Sequence, residues 1–274
     1  MISYFYQICR VQQISSLKNP LIKKIQSLNK KRGRESNHLF LVEGIREVEL
    51  AIESGLHPTE MLFNHCWAND DLEAYAEKVE CEKQFLLDEQ VFEKISYRSS
   101  VPNVLATFSL FNTRLDNLKL PKNSIVLVLE SIEKPGNLGA IFRTADAAGV
   151  DAIIIANANT DFYNPNVIRA SLGTVFTVPF AICSNEACLQ FLAENRFNIF
   201  STYLEGAIPH FEVDMSKNTA IVMGSEAFGI TNFWVENAHK CIKIPMLGKA
   251  DSMNVSTATA VVVYEAVRQR NKKA

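Results

Sequence analysis

A chain of 274 residues, 47% of them hydrophobic, is long enough for two domains with real cores and is not the composition of a disordered protein. The formal net charge of −2 conceals an uneven distribution: residues 1–34 carry eight Lys/Arg and no Asp or Glu, whereas 70–93 hold nine acidic residues against two lysines. No apolar run approaches the roughly eighteen residues needed to span a membrane, and the start MISYFYQICRVQ lacks the order of a secretory signal, so the expected setting is a reducing cytoplasm with no membrane partner. Cys9, Cys66, Cys81, Cys183, Cys188 and Cys241 show no CxxC spacing and read as free thiols or core filler. The histidines at 38, 57, 65, 210 and 239 are scattered, so no metal site is expected.

In chain order, residues 1–35 form a basic arm with Arg10, Lys18, Lys23, Lys24, Lys30, Lys31, Arg32 and Arg34. Such an arm suits a phosphate backbone, although a solvated basic helix has the same composition. From 36 to 110 the pattern is a compact α/β unit. It has a strand at 39–44 and a helix to Ser54, a strand at 59–63 and a polar helix over 69–80. A short helix near 88–95 and an apolar strand at 101–108 complete it. The polar stretch 112–124, with Pro121, is the best linker, and the domain boundary is set at 111–122.

The remaining unit, 123–274, opens with IVLVLE at 125–130, apolar throughout as a strand covered on both faces must be. Asn137 is a candidate cap for a helix over 138–148. Strands follow at 151–156, 175–180, 197–202, 219–223 and 240–244, with helices near 166–171, 185–195 and 254–270 between and after them. Alternation at this spacing predicts a mainly parallel sheet with helices on both faces.

Ligands of open α/β sheets sit beyond the carboxyl ends of the strands. Three glycine-bearing loops leave such ends: 134–139, 224–229 and 245–254, with Gly136, Gly139, Gly224, Gly229 and Gly248. None spells GxGxxG or GxxxxGK[ST], so a nucleotide-dependent Rossmann enzyme is not supported. Arg143 interrupts the apolar series Leu138, Ile141, Ala145, Ala148 and needs an anion or solvent. Glu226 lies between two glycines, and Asn254, Ser256 and Thr257 open the last helix, where free N–H groups can hold an oxygen. Arg169 and Ser171 in RASLG add a second cation and hydroxyl. No nucleophile–base pairing is suggested, so this polar set supports positioning and charge stabilisation, as in group transfer from a bound donor.

The ordered segments 137-NLGAIFRTADAAG-149, RASLGTVF at 169–176, 222-VMGSEAFG-229 and 244-IPMLGKADSMNVSTATA-260 resemble the TrmH/SpoU group of the SPOUT superfamily. These are S-adenosylmethionine-dependent RNA 2′-O-ribose methyltransferases. Residues 36–108 are similar, more loosely, to the substrate-binding domain of rRNA-directed members. The resemblance implies a trefoil knot in the C-terminal domain, S-adenosylmethionine as cofactor without a metal, RNA (rRNA, with tRNA as the alternative) as partner, and a homodimer through the C-terminal domains. It implies a cofactor pocket of Thr202, Leu204, Gly206, Gly224, Ile244, Met246, Ser252, Met253 and Asn254, and an active site of Asn137, Arg143, Glu226, Asn254 and Ser256. Glu226 would hold Arg143 or the knot backbone, and Val261, Val262, Val263 and Ala266 would have apolar surface to spare for a partner. Lys134 stands where the family often has Asp, Ala227 where Gly is frequent, Met253 where Leu is usual, and 102-PNV-104 in place of Pro-Gln-Gly. An RNA-binding homologue without transfer chemistry is the rival reading; the presence of Arg143 and Asn254 argues against it.

Overall fold

The computed structural model describes residues 11–67, 69–97, 102–111 and 113–271. Cys9, Arg10 and Val101 of the readings above lie outside the described residues. The chain divides into two compact units, one of residues up to Phe111 together with Tyr163–Phe176, the other of Asn112–Phe162 with Thr177–Ala274.

The first unit runs β1 (Val11–Ile14), α1 (Pro20–Ser27), α2 (Lys31–Asn37), β2 (Leu39–Glu43), α3 (Ile45–Glu53), β3 (Pro58–Asn64), α4 (Asn69–Lys78), β4 (Gln84–Leu87), α5 (Glu89–Ile95) and β5 (Val104–Ser109). Its sheet has the order β1-β4-β3-β5-β2. Strands β1, β4 and β3 are parallel, and β5 is antiparallel to β3 and β2. The residues read as a basic arm are thus partly woven into this sheet. Asn19 caps α1 by accepting from Leu21 N–H at 2.9 Å, with Pro20 at the first helical position. Ile22, Ile25 and Leu28 then enter a core with Leu41, Leu62, Phe92 and Leu105. Lys24 is ion-paired with the buried Glu60. Burial pushes the Glu60 carboxyl up, but hydrogen bonds from Lys24 and Thr107 outweigh it and hold the acid below its ordinary value. Arg34 is buried and donates to the Leu28 carbonyl at 2.5 Å. Lys18, Lys23, Lys30, Lys31 and Arg32 remain exposed.

The second unit begins with β6 (Ile125–Glu130), α6 (Pro135–Ala148) and β7 (Ala152–Ala156). Helix α6 starts three residues earlier than an Asn137 cap would have placed it. Pro135 occupies its first position, which needs no amide hydrogen, and Asn137 lies inside the first turn. After β7 the chain enters the segment Tyr163–Phe176, which clusters with the first unit although it falls within the stretch read as one C-terminal domain. Its helix α7 (Pro165–Ser171) packs on β2. The Tyr163 and Phe176 rings lie 5.0 and 6.0 Å from that of Phe40.

The unit resumes with β8 (Phe180–Cys183), α8 (Asn185–Glu194), β9 (Asn198–Thr202), β10 (Ile208–Pro209), β11 (Thr219–Met223), α9 (Asn232–Glu236), β12 (Lys240–Lys243) and α10 (Val255–Asn271). The strand expected at 175–180 is instead a turn followed by β8. Thr174 and Phe176 N–H bond back to Ser171 and Gly173, and Pro179 has no N–H for a ladder, so pairing starts after it. Nor is the expected linker free: Leu115, Leu118 and Leu120 pack against this unit's core, and the Thr113 carbonyl accepts from Ile182 N–H at 2.9 Å.

All seven strands are parallel, in the order β10-β12-β9-β11-β6-β7-β8. Every residue of β6, β7 and β11 is buried, as expected of strands covered on both faces. One face meets Cys188 and Leu192 of α8 and Trp234 of α9. Helix α10 packs on β11 and α6, with Val262, Val263 and Ala266 fully buried. Three of the four residues expected to have surface to spare are therefore used inside the chain, and Val261 alone of them is exposed.

Glu130, 1% exposed at the carboxyl end of β6, is met by three donors. Asn185 Nδ2 donates at 2.6 Å, and Thr231 donates through N–H and hydroxyl, both at 2.7 Å. Asn185 Oδ1 in turn accepts from Trp234 Nε1 at 3.1 Å. One carboxylate thereby joins the end of β6 to the starts of α8 and α9. Glu130→Ala leaves the buried Asn185 amide without its acceptor and unties Thr231, and is expected to cost about 1–3 kcal/mol. A denaturant midpoint within error of wild type would refute the assignment.

Candidate active site

Because β12, β9, β11 and β6 are neighbours and parallel, the loops after all four emerge side by side at one edge of the sheet. These loops, the end of β9 and the starts of α6 and α10 contain every residue expected at the site except Arg143, which lies in the third turn of α6. The segment 131–134 after β6 is pinned from β7. Ser131 N–H bonds to the Ala156 carbonyl, and the Thr160 hydroxyl is within 2.6 and 2.8 Å of the Ile132 and Glu133 carbonyl oxygens. Thr160 carries no motif, and nothing in the sequence pointed to it.

The loop after β11 closes on itself. Ser225 and Gly229 exchange two backbone hydrogen bonds, at 2.9 and 3.0 Å, and the Ser225 hydroxyl accepts from Phe228 N–H at 3.1 Å. Gly224 is required by close approach: a Cβ there would overlap the Gly229 carbonyl and the Ile230 amide.

Four of the five expected active-site residues form one hydrogen-bonded chain. The Ser256 hydroxyl donates to Asn254 Oδ1 at 2.6 Å, Asn254 Nδ2 donates to Asn137 Oδ1 at 3.1 Å, and Asn137 Nδ2 donates to Glu226 Oε1 at 2.5 Å. Glu226 also accepts from the backbone N–H groups of Glu133 and Lys134, at 3.1 and 3.3 Å. Every link donates toward the carboxylate, so the anion orients both amides and the links polarise one another. The same Asn254 oxygen accepts from Ser256 N–H at 3.0 Å and caps α10. At the far end, the Ser256 oxygen has its proton committed and keeps only lone pairs for a ligand.

Arg143 is the exception. It lies on α6, exposed, with no hydrogen bond or ion pair to another described residue. Of the two partners expected for Glu226, Arg143 or the knot backbone, Arg143 is not one that it meets. Glu226 already receives Asn137 and two backbone amides from the β6 loop, and this leaves the guanidinium free to meet an external anion.

The expected cofactor residues come from adjacent strand exits. Thr202, at the end of β9, donates to the Val222 carbonyl at 2.9 Å. Leu204 and Leu247 are 60% and 98% exposed, an unusual cost for large apolar side chains in water. Gly206 and Gly248 face open space, Ile244, Met246 and Met253 are half-buried, Ser252 is exposed, and Gly224 is buried. Apolar surface beside accessible backbone suits a flat heterocycle with a polar tail, so these residues fit S-adenosylmethionine. No group of three potential metal ligands occurs among the described residues.

Residues 124–264 match the SpoU rRNA Methylase family, and residues 19–106 match the MRM3-like substrate binding domain. The chain is 28% identical over 255 residues to the 23S rRNA (guanosine(2553)-2′-O)-methyltransferase RlmP of Bacillus subtilis, covering 93% of this chain and 98% of that protein. Among solved structures it is similar to an RNA 2′-O ribose methyltransferase, with 32% identity, a TM-score of 0.83, and coverage of 95% and 100% of the two chains. It is also similar to an AdoMet-bound rRNA methyltransferase from Sinorhizobium meliloti, with 29% identity, a TM-score of 0.86, and coverage of 94% and 98%.

The Glu226 carboxyl is pushed up by partial burial, but the bonds from Asn137 and the backbone N–H groups of residues 133, 226 and 134 outweigh this and hold it below the usual 4.5. A depressed acid stabilises the chain of bonds above the unfolded pKa, and that contribution is lost as pH falls through the lower, folded value. Carbon-detected titration should place the Glu226 midpoint below 4.5, and Asn137→Ala should move it upward. An unmoved midpoint would mean that the Asn137 bond does not hold the charge.

Proposed function

The chain belongs to the SpoU rRNA Methylase family, and on that premise we propose the function that its site supports best. It is an S-adenosylmethionine-dependent RNA 2′-O-ribose methyltransferase, with rRNA as the substrate. The observation that carries this reading is the directed chain from Ser256 through Asn254 and Asn137 to Glu226, with Arg143 exposed on the helix whose first turn carries Asn137.

Thr202, Leu204, Gly206, Gly224, Ile244, Met246, Ser252, Met253 and Asn254 would hold the cofactor. When bound, S-adenosylmethionine supplies an electrophilic methyl group. A ribose 2′-hydroxyl is a weak nucleophile; it must be aligned, and its proton passes to solvent water as its oxygen takes the methyl group. Ser256 Oγ, left with lone pairs only, accepts a hydrogen bond from that hydroxyl and turns the oxygen's electron pair toward the methyl. Arg143 stabilises the negative charge that grows on the oxygen. Asn137, Asn254 and Glu226 hold this arrangement in place before substrate arrives, so little reorganisation is needed during reaction. The 2′-hydroxyl also restricts the substrate to RNA.

The first unit is the RNA-holding part in this reading, supported by its match to a substrate-binding domain and by exposed Lys18, Lys23, Lys30, Lys31 and Arg32. The insertion of β11 between β6 and β9 supports a trefoil-knotted path. A homodimer through the second unit is supported by exposed Val261 and Tyr264 on α10. The compartment is the cytoplasm, in keeping with five described cysteines that are free.

Labelled S-adenosylmethionine and rRNA from cells lacking the gene provide the test. Wild-type protein should transfer methyl groups to ribose, and Arg143→Ala should lose at least about 100-fold in transfer with cofactor affinity within about twofold. Unchanged transfer by the variant would remove Arg143 from the site. Replacing Lys18, Lys23, Lys30 and Arg32 with Gln should weaken RNA binding and lower the slope of log affinity against log salt by up to about one for each phosphate no longer neutralised. An identical slope would take these cations out of the RNA path.

A further inference from the structure

Four described large hydrophobic residues are more than half exposed, and three of them leave neighbouring strand ends at the site edge: Leu204 after β9, Leu247 after β12 and Phe228 after β11. The two leucines lie in segments assigned above to the cofactor. Phe228 does not, yet it is 88% exposed. It stands two residues from Glu226 in a loop closed by the Ser225–Gly229 bridge, and its own N–H is tied to the Ser225 hydroxyl. The ring is therefore carried on a stiff support while its faces are left to solvent. The backbone N–H of Lys134 binds the Glu226 carboxylate, and the lysine is exposed. An exposed aromatic residue two positions from Glu226 and an exposed lysine whose backbone meets its carboxylate thus accompany the group that anchors the Asn137–Asn254–Ser256 chain.

We propose that Phe228 is a substrate-positioning residue: it stacks on the nucleobase next to the methylated ribose, and Lys134 meets an adjoining phosphate. This rests on the reading of the chain as an RNA ribose methyltransferase. RNA targets of sequence-reading proteins present splayed bases, and aromatic faces accept any of them. The adjacent cation favours a polyanion over a second copy of the chain, whose contact would instead bury the ring among apolar groups. Phe228 acts by holding the strand so that the ribose oxygen faces Ser256; it performs no proton transfer.

The test uses the full-length protein, labelled S-adenosylmethionine and rRNA from cells lacking the gene. Phe228→Ala should raise the RNA KM and lower kcat/KM by about 10- to 100-fold, the range that base stacking supports, with cofactor affinity unchanged. Phe228→Trp should restore transfer, whereas Phe228→Leu, apolar but without a π face, should not. Lys134→Gln should reduce the salt slope of RNA binding by about one. Wild-type transfer that is untouched by Phe228→Ala overturns the stacking role alone. Rescue by leucine, weakened cofactor binding, or a change in sedimentation of Phe228→Ala would assign the ring to packing, to the cofactor or to a chain–chain contact, and each overturns it. Wild-type protein that binds cofactor but transfers nothing to this RNA overturns the enzymatic reading beneath it.

Discussion

The buried carboxylate of Glu130 is the constraint on which the site edge of the second unit depends. A polar group that deep is tolerated only with its acceptor positions filled, and the donors available are Asn185 and Thr231, at the starts of α8 and α9. Satisfying one group therefore fixes where β6 ends and where the chain goes after β11. The five-residue bridge at 225–229 is then held between a buried strand and an anchored threonine. Glu226 sits on that bridge, and its reach to the β6 loop follows from the backbone before any ligand is considered.

A division of labour results. The polar groups from 137, 226, 254 and 256 satisfy one another in a single direction, ending on an anion, and leave little conformational freedom at the site. Arg143 is left out of this arrangement and is exposed. Had Glu226 taken Arg143 as its partner, the guanidinium would have been neutralised before substrate arrived. The backbone amides of residues 133 and 134 hold Glu226 instead. That choice of partner leaves Arg143 unengaged by Glu226 and open to solvent.

Much of the second unit was legible because its strands are buried on both faces, and such strands write themselves as uninterrupted apolar runs: IVLVLE, DAIIIA and TAIVM. Where that rule was followed too literally it failed. VFTVPF reads as a strand, but Pro179 breaks the ladder and moves it to Phe180–Cys183. The first unit was harder. Its edge strand VQQI has four residues, two of them polar and exposed, and QFLL is no longer; neither is distinguishable from loop by pattern. Lys24 looked like one of eight equivalent cations until the fold set it against buried Glu60.

The sequence by itself determined most of the elements of the second unit, which loops carry glycine and polar groups, and which residues match a recognised set. These properties are local, since periodicity, capping and turn chemistry act over a few residues. Only the tertiary structure decided the strand order that lays four loops side by side, the direction of the Ser256-to-Glu226 chain, and the partner of Glu226. It alone placed Tyr163–Phe176 with the first unit. Each of these depends on residues tens to more than a hundred positions apart. Their proximity follows from parallel pairing and from filling buried acceptors, and neither leaves a trace in the spacing along the chain.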